Sequence, residues 1–455
     1  MKTLIRELEN YRPLSEIFEL YHDSDRAVFL DSSLVNSLGK YSIMGINPYL
    51  EMKEKDGICF VNGEAKEQPF EMVMKQYLKD HEEENETDLP FVSGAIGYLS
   101  YDYGRKFEKI KSQHEKGLDI PTVCFCFYDN YVIEDCHNKK IYITAKGRIK
   151  EAQVALAEIT AMIQKSSRNT CIARQKQDKI AKFQANFEKE KYKDAVQVMI
   201  DYIVDGDIYI ANMTQQLVAA SDKEPYEVFK YLRAHNPAPF GSYFNYDDFQ
   251  IVSASPERFL KVRDKVVETR PIKGTRKRGE TQKEDEALKE ELRLSGKDRS
   301  ELLMIVDLLR NDISRVCEPG SVQVSEHFAV ETYATVFHLV TTIIGQLKDD
   351  KDIIDLIKVT FPGGSITGAP KIRAMEIIDE LEHGQRGLYT GSIGYLGLDG
   401  SSDLNIVIRT AVHQDGKYHI GAGGGITCES ETEFEYEETL QKARAILEAI
   451  YNGED

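Results

Sequence analysis

Several groups in this sequence have the type and spacing to do acid–base, nucleophilic or metal chemistry. The densest stretch is Glu268–Gly279, ETRPIKGTRKRG, where Lys273 sits between Pro-Ile and Gly-Thr among arginines and lysines. Pro271 stiffens the backbone there and Gly274 opens it, so the segment reads as a loop that can approach a ligand closely. A lysine at such a turn is either a surface charge or a nucleophile, and the local sequence alone favours the surface charge. Glu257, in Ser-Pro-Glu-Arg-Phe, is a candidate general acid. Asp298 and Glu301 lie three apart in the helical pattern around Ser295–Leu309 and share a face. Glu435, Glu438 and Lys442 share a face of the C-terminal helical pattern, Glu431–Tyr451. Each set alone reads as a solvated surface. Together the two carboxylate pairs make a hard-oxygen cage suited to Mg²⁺, with water and a ligand carboxylate completing the coordination.

Two glycine-rich stretches could meet an anion. In Phe361–Lys371, FPGGSITGAPK, Gly363, Gly364 and Gly368 permit a tight loop, and Pro370 fits the first turn of a following helix. A helix N-terminus under such a loop suits an anion, although the Walker A spacing is absent. Ile420–Ile426, IGAGGGI, follows a strand at Lys417–His419 and lets backbone come very near a ligand; it is not a dinucleotide fingerprint. His338, among apolar residues, reads as a core histidine. Tyr389 and Arg409 fall in or at the ends of strand-like runs, and an arginine facing a core needs an anionic partner. Asp31, Ser32 and Ser33 read as a strand end with its turn, or as a small-ligand site.

The elements that must position these groups give an α+β pattern. Short strands are expected at 26–32, 41–45, 58–62, 122–133 and 140–145, with a buried strand and turn over 91–103 and a helix over 150–164. Residues 1–165 form a first part and 166–185 a basic, polar connector. The second part, 186–455, starts with a helix from an Asn186 N-cap to Gly206, its apolar face at Ala195, Val198, Met199, Tyr202 and Ile203. Strands follow at 207–217, 242–244, 251–254, 259–263 and 265–269, then a helix-rich stretch over 280–309. The 455 residues are 41% hydrophobic, enough for a large core, and contain no apolar run long enough for a membrane span. Seven scattered cysteines without a CxxC point to reduced thiols, and the N-terminus lacks a secretory h-region, so a cytoplasmic location is expected. A formal charge of −18 argues against nucleic acid and anionic membranes as partners.

The motifs together resemble component I of the chorismate-using aminating synthases. The residues are SPERF (Ser255–Phe259), PIKGT (Pro271–Thr275), DRSELLMIVDLLRND (Asp298–Asp312), FPGGSITGAPK, GSIGY (Gly391–Tyr395), IRT (Ile408–Thr410), GAGGGI (Gly421–Ile426) and EYEETLQK (Glu435–Lys442). The match covers about residues 186–450 in motif order, and the N-terminal third is similar more loosely, through LPFVSGAIGYLSYDYGR at Leu89–Arg105. The resemblance implies two large antiparallel-rich sheets wrapped by helices, with the site in the cleft. It implies Mg²⁺ at Glu301 and Glu438, backed by Asp298 and Glu435. It implies chorismate held by Arg409, Tyr389, Lys442 and the Gly423, Gly424 and Gly425 backbone, with His338 and Thr367 lining the site. Relatives that aminate C2 typically carry alanine at the position of Lys273, and those that aminate C4 carry lysine. In the latter the amine attacks C2 as the 4-hydroxyl leaves, ammonia adds at C4, and the lysine is expelled. That requires a neutral Lys273, its pKa lowered by desolvation and by the surrounding cations, with Glu257 as the acid. Water-adding relatives have a lysine base in the strand after Gly206-Asp207; here the position is Ile210. The resemblance also implies a separate glutamine amidotransferase subunit, since this sequence carries no Cys-His-Glu glutaminase signature. It further suggests an amino-acid site near Asp31, Ser32, Pro239 and Phe240. The rivals are amination at C2 and a non-catalytic scaffold role.

Overall fold

The computed structural model describes residues 2–165, 182–332 and 336–451. Every strand pairing in it is antiparallel, and two large sheets share one ribbon. That ribbon is the long pair Tyr41–Lys55 and Val123–Asp135. All of Val123–Asp135 is buried, on both faces, because its alternating side chains enter core clusters on either face of the sheet. One sheet runs from Leu4–Glu7 through Lys140–Ala145 and the ribbon to Ala27–Asp31, Phe240–Asn245, Gln250–Ser255, Thr410–Gln414, Lys417–Ile426 and Ile210–Ala220. The other leaves the ribbon through Gly94–Leu99 to Ser392–Gly397, Ser402–Asn405, Arg258–Arg263, Val266–Thr269, Val336–Gln346 and Gln323–Thr332.

Three of the four core clusters among the described residues show this layering. One takes Val28, Ile43, Tyr98, Cys126, Phe244, Tyr395 and Val412 from strands of both sheets and lies between them. A second packs the first sheet against the helices Leu14–Phe18, Ala152–Lys165, Pro225–His235 and Thr432–Tyr451. A third packs the second sheet against Gly296–Ser314 and Ile353–Thr360. The expected stripe Leu302, Ile305, Val306 and Leu309 is buried there. Strands on either side of the expected connector pair in both sheets, Ala27–Asp31 with Phe240–Asn245 and Gly94–Leu99 with Ser392–Gly397. Residues 166–181 of that connector lie outside the described residues, and Gln184–Ala185 adds a short strand beside Leu217–Val218.

Several local expectations are corrected. Asn186 is not an N-cap: the helix is Lys189–Val204, and the Asn186 side chain accepts from the Gln216 N–H at 2.8 Å, extending the sheet edge. The buried face of that helix is Tyr192, Val196, Met199 and Ile200, while Val198 is 40% exposed. The 280–309 stretch is two helices, Gln282–Leu294 and Gly296–Ser314, because Ser295 breaks the first and caps the second through the Asp298 N–H. The six cysteines among the described residues are free thiols, and no described helix is long and apolar enough to cross a membrane.

Lys371, at the start of Lys371–Leu381, ties the back of the cleft together. Its ammonium pairs with Asp312 at 2.5 Å and donates to the Thr360 carbonyl at 2.9 Å, both side chains being buried. Asp312→Ala leaves that cation buried and unpaired. It is expected to cost about 3–5 kcal/mol in urea unfolding, and the double variant Asp312→Leu/Lys371→Met to recover most of the loss.

Candidate active site

Lys273 lies on a strand, Ile272–Lys277, paired with Val336–Gln346, and not on a loop. The register slips between Lys273 and Thr275, where Gly274 adopts φ +75°. Such a bulge re-aims the neighbouring side chains. Lys273 lines a cavity of about 470 Å³ together with Glu257, Glu301, Glu435, Glu438, Lys442, Arg409, Tyr389 and His338. These groups come from widely separated parts of the chain, which the two sheets and the C-terminal helix bring to one cleft.

The glycine run is likewise strand, part of a continuous Lys417–Ile426 paired along its length with Ile210–Ala220. Its lack of side chains lets other groups approach. A methyl at Gly424 would sit 2.5 Å from Glu438 Oε2 and 2.9 Å from Glu435 Oε2; one at Gly425 would sit 2.6 Å from Lys273 Nζ. Gly423 and Gly425 line the cavity, and the Gly423 carbonyl accepts from Lys442 Nζ at 2.8 Å. Ile210 packs beside Gly425, 3.6 Å from the same methyl position, so the expected base position is apolar.

Burial pushes the Glu257 carboxyl up to about 7, against the opposing pull of Ser365, Lys273, the Ile272 backbone and Lys442. It can therefore hold a proton near neutrality. Burial, reinforced by Arg409, pushes His338 down to about 4, so its ring is neutral; Thr275 Oγ1 lies 3.0 Å from its Nδ1. It is a cavity residue as well as a buried one. Burial raises Tyr389 too, so its phenol keeps its proton at neutral pH. Arg409 has no ion-pair partner among the described residues, and its enclosure penalises the charge. An anionic ligand is the partner that this arrangement lacks.

The arginines that flank Lys273 in sequence are neutralised by carboxylates. Arg270 pairs with Glu331 at 2.7 Å, Arg276 with Glu291 at 2.7 Å and Asp298 at 3.1 Å, and Arg278 with Asp285 at 2.5 Å. These arginines are spent on carboxylates along their own edge. The charges that Lys273 influences across the cavity are Glu257 and Glu301.

The carboxylate cage is open. Burial raises Glu301 and Glu435, and the facing charge of Glu438 raises both further. Asp298 turns to Arg276, Glu435 accepts from Ser430 Oγ at 2.7 Å, and Glu438 pairs with Lys442 at 3.0 Å. Among the described residues, the three-membered ligand group packed within 4.8 Å is Glu51, Cys124 and Cys126, away from this cavity. The oxygen donors, mutually repelling and without a full set of cations, fit a hard divalent ion that takes its remaining ligands from water and an anionic substrate.

Two other expectations resolve differently. Thr367 does not line the cavity: its hydroxyl donates to the Gly363 carbonyl at 2.9 Å and its own carbonyl accepts from the Asn212 N–H. The segment's cavity residues are Ser365 and Ile366, and the Lys371 side chain at the helix start is paired with Asp312. Asp31, Ser32, Pro239 and Phe240 do converge, around a separate cavity of about 70 Å³. Asp31 lies buried there, 3.1 Å from Arg233 Nε, and Ser32 Oγ donates to the Tyr41 carbonyl at 2.7 Å. Ser365, Thr275 and Asn212 were not singled out from the sequence; the glycines flanking Ser365 and the glycine before Thr275 were the available signals.

The family model of the chorismate binding enzymes matches residues 26–448. The chain belongs to the chorismate binding enzyme family. It is 39% identical over 425 residues to aminodeoxychorismate synthase component 1 of Bacillus subtilis (strain 168), covering 92% of this chain and 90% of that protein. It is 36% identical over 458 residues to anthranilate synthase component 1 of Acetivibrio thermocellus, covering 96% and 92%. The crystal structure of anthranilate synthase component I from Streptococcus pneumoniae TIGR4 superposes with a TM-score of 0.80 at 30% identity, covering 96% of this chain and 97% of that one. The α+β fold is thus that of anthranilate synthase component I.

For a chorismate-binding enzyme, the unpaired Arg409 predicts a trade-off. Arg409→Met is expected to stabilise the ligand-free protein by about 1 kcal/mol or more, because a desolvated cation is removed. The same change is expected to weaken chorismate binding at least tenfold. Urea unfolding and calorimetric titration measure the two effects.

Proposed function

We propose that this chain is an aminodeoxychorismate synthase component I, aminating chorismate at C4 on the way to 4-aminobenzoate and folate. The observation that carries the reading is Lys273, whose Nζ reaches over Gly425 into the cavity that also holds Glu257. Glu257, able to hold a proton near pH 7, gives it to the departing 4-hydroxyl as the Lys273 amine attacks C2. Ammonia then adds at C4 and the lysine leaves. Arg409, Tyr389 and Lys442 hold the carboxylates of chorismate. Glu301 and Glu438, with Asp298 and Glu435 behind them, would hold Mg²⁺, which would supply electrostatic stabilisation of the substrate carboxylate. A separate glutamine amidotransferase supplies the ammonia, as the component 1 names of the relatives suggest. The small cavity at Asp31, Ser32, Pro239 and Phe240 is the place for an amino-acid ligand.

The test is product identity. Purified protein with chorismate, Mg²⁺ and a high ammonium concentration is expected to give a product that 4-amino-4-deoxychorismate lyase converts to 4-aminobenzoate. Anthranilate would instead assign amination at C2, and no consumption of chorismate would favour a scaffold role. Chelation of Mg²⁺ by EDTA is expected to abolish turnover, and added Mg²⁺ to restore it.

The acid role fixes the pH dependence. Glu257 works protonated, so kcat/KM should fall with rising pH above about 7. Glu257→Gln should lower the rate by about 10²–10⁴-fold and flatten that limb of the profile.

A further inference from the structure

Asn212 carries a polar side chain that no other described residue engages. It belongs to Ile210–Ala220, lies directly opposite Gly425 of Lys417–Ile426, and lines the large cavity. Its backbone, in contrast, is fully used. The N–H donates to the Thr367 carbonyl at 2.7 Å, and the carbonyl accepts from Arg386 Nη2 at 2.6 Å. Arg386, only 4% exposed, is compensated by Glu382 at 2.6 Å and also holds the Ile366 carbonyl at 2.8 Å. Both backbone groups of Asn212 are therefore turned away from Gly425. The two residues form the closer, non-hydrogen-bonded kind of antiparallel pair. Side chains of such a pair share one face of the sheet, with Cβ positions roughly 4.5–5.5 Å apart.

The group that occupies this face is Lys273. A methyl at Gly425 would sit 2.6 Å from Lys273 Nζ and 3.6 Å from Ile210 Cδ1. Ile210, two residues before Asn212, shares its face. The strand thus offers Lys273 one apolar side chain and one carboxamide. Asn212 Oδ1 is buried without a hydrogen-bond partner among the described residues. Lys273 Nζ likewise makes no hydrogen bond or ion pair among them. An acceptor without a donor and a donor without an acceptor stand over the same pair of strands. The neutrality of the acceptor matters. A carboxylate there would hold Lys273 as an ammonium, whereas a carboxamide accepts an N–H without supplying a charge.

We propose that Asn212 is a positioning residue for Lys273: its side-chain oxygen accepts an N–H from the amine and aims the nitrogen lone pair at the bound substrate. The proposal rests on the reading of Lys273 as the nucleophile. Arg386 and the Thr367 carbonyl act at one remove, by fixing the Asn212 backbone from behind. The charged groups that line the cavity with Lys273 are Glu257, Glu301, Glu435, Glu438, Lys442 and Arg409, and none of them is altered by a change at Asn212.

Competitive acetylation of the full chain across pH, read lysine by lysine by peptide mass spectrometry, reports on the Lys273 amine without turnover. Asn212→Asp keeps the shape of the side chain and sets an anion against the amine. The Lys273 midpoint is expected to rise by about one pH unit or more. Lys297, which lines the same cavity from Gly296–Ser314, should shift far less. Asn212→Leu keeps the bulk and removes the acceptor. Its kcat for aminodeoxychorismate formation is expected to fall about 10–100-fold, with KM for chorismate little changed because no substrate contact is lost. The proposal is overturned by an unchanged Lys273 midpoint in Asn212→Asp, by an equal shift at Lys297, or by wild-type kcat in Asn212→Leu, each in a chain that circular dichroism shows to be folded. Anthranilate as the wild-type product, together with the expected shift at Lys273, overturns the functional reading and leaves the Asn212–Lys273 contact standing.

Discussion

Lys273 and Arg409 stand in the cleft without an ion-pair partner among the described residues, while the buried Glu257 and Glu435 and the half-buried Glu301 are carboxylates pushed toward protonation. Charge enclosed in this way opposes folding, because neither water nor an opposite charge compensates it fully. The rest of the structure is arranged to carry that cost. Two sheets joined through the Tyr41–Lys55 and Val123–Asp135 ribbon supply a large apolar core behind the cleft. Fully paired buried ions, Lys371 with Asp312 and Arg386 with Glu382, brace the elements that border it.

The contrast between those two sorts of ion is the chemistry of the site. Arg270, Arg276 and Arg278 neutralise carboxylates at the edge and hold the Lys273 strand in place. Lys273 is left to reach across a strand of bare glycine backbone, beside an acid that holds its proton near neutrality. A substrate bearing carboxylates would satisfy Arg409, and a divalent cation would relieve Glu301 against Glu438. Binding thereby supplies the partners that folding withheld, which is the sense in which the site is preorganised for an anionic ligand.

Much of this was legible in the sequence because it is local. The three-residue spacing of Asp298 and Glu301, and of Glu435 and Glu438, placed each pair on one helical face, and motif order carried the family and its fold. What was not legible depends on pairing across the chain. Pro and Gly around Lys273 read as a loop, yet Val336–Gln346 draws the segment into a strand and confines the glycine to a bulge. The expected strand ended at His419, before the three consecutive glycines, but Ile210–Ala220 pairs with them throughout and carries the strand to Ile426. The arginines near Lys273 in sequence are not free charges beside it, since Arg270, Arg276 and Arg278 each pair with a carboxylate. Thr367 turns inward because its turn bonds to itself, and Asn186 serves a sheet edge instead of a helix end.

The central claim is that the Lys273 amine bonds to the substrate during amination at C4. The most direct measurement is the rate of aminodeoxychorismate formation by Lys273→Ala with saturating chorismate, Mg²⁺ and ammonium, products separated by chromatography. The account predicts loss of that product in a chain that remains folded and still binds chorismate. Undiminished formation of aminodeoxychorismate would contradict it, since nothing would then pass through the lysine.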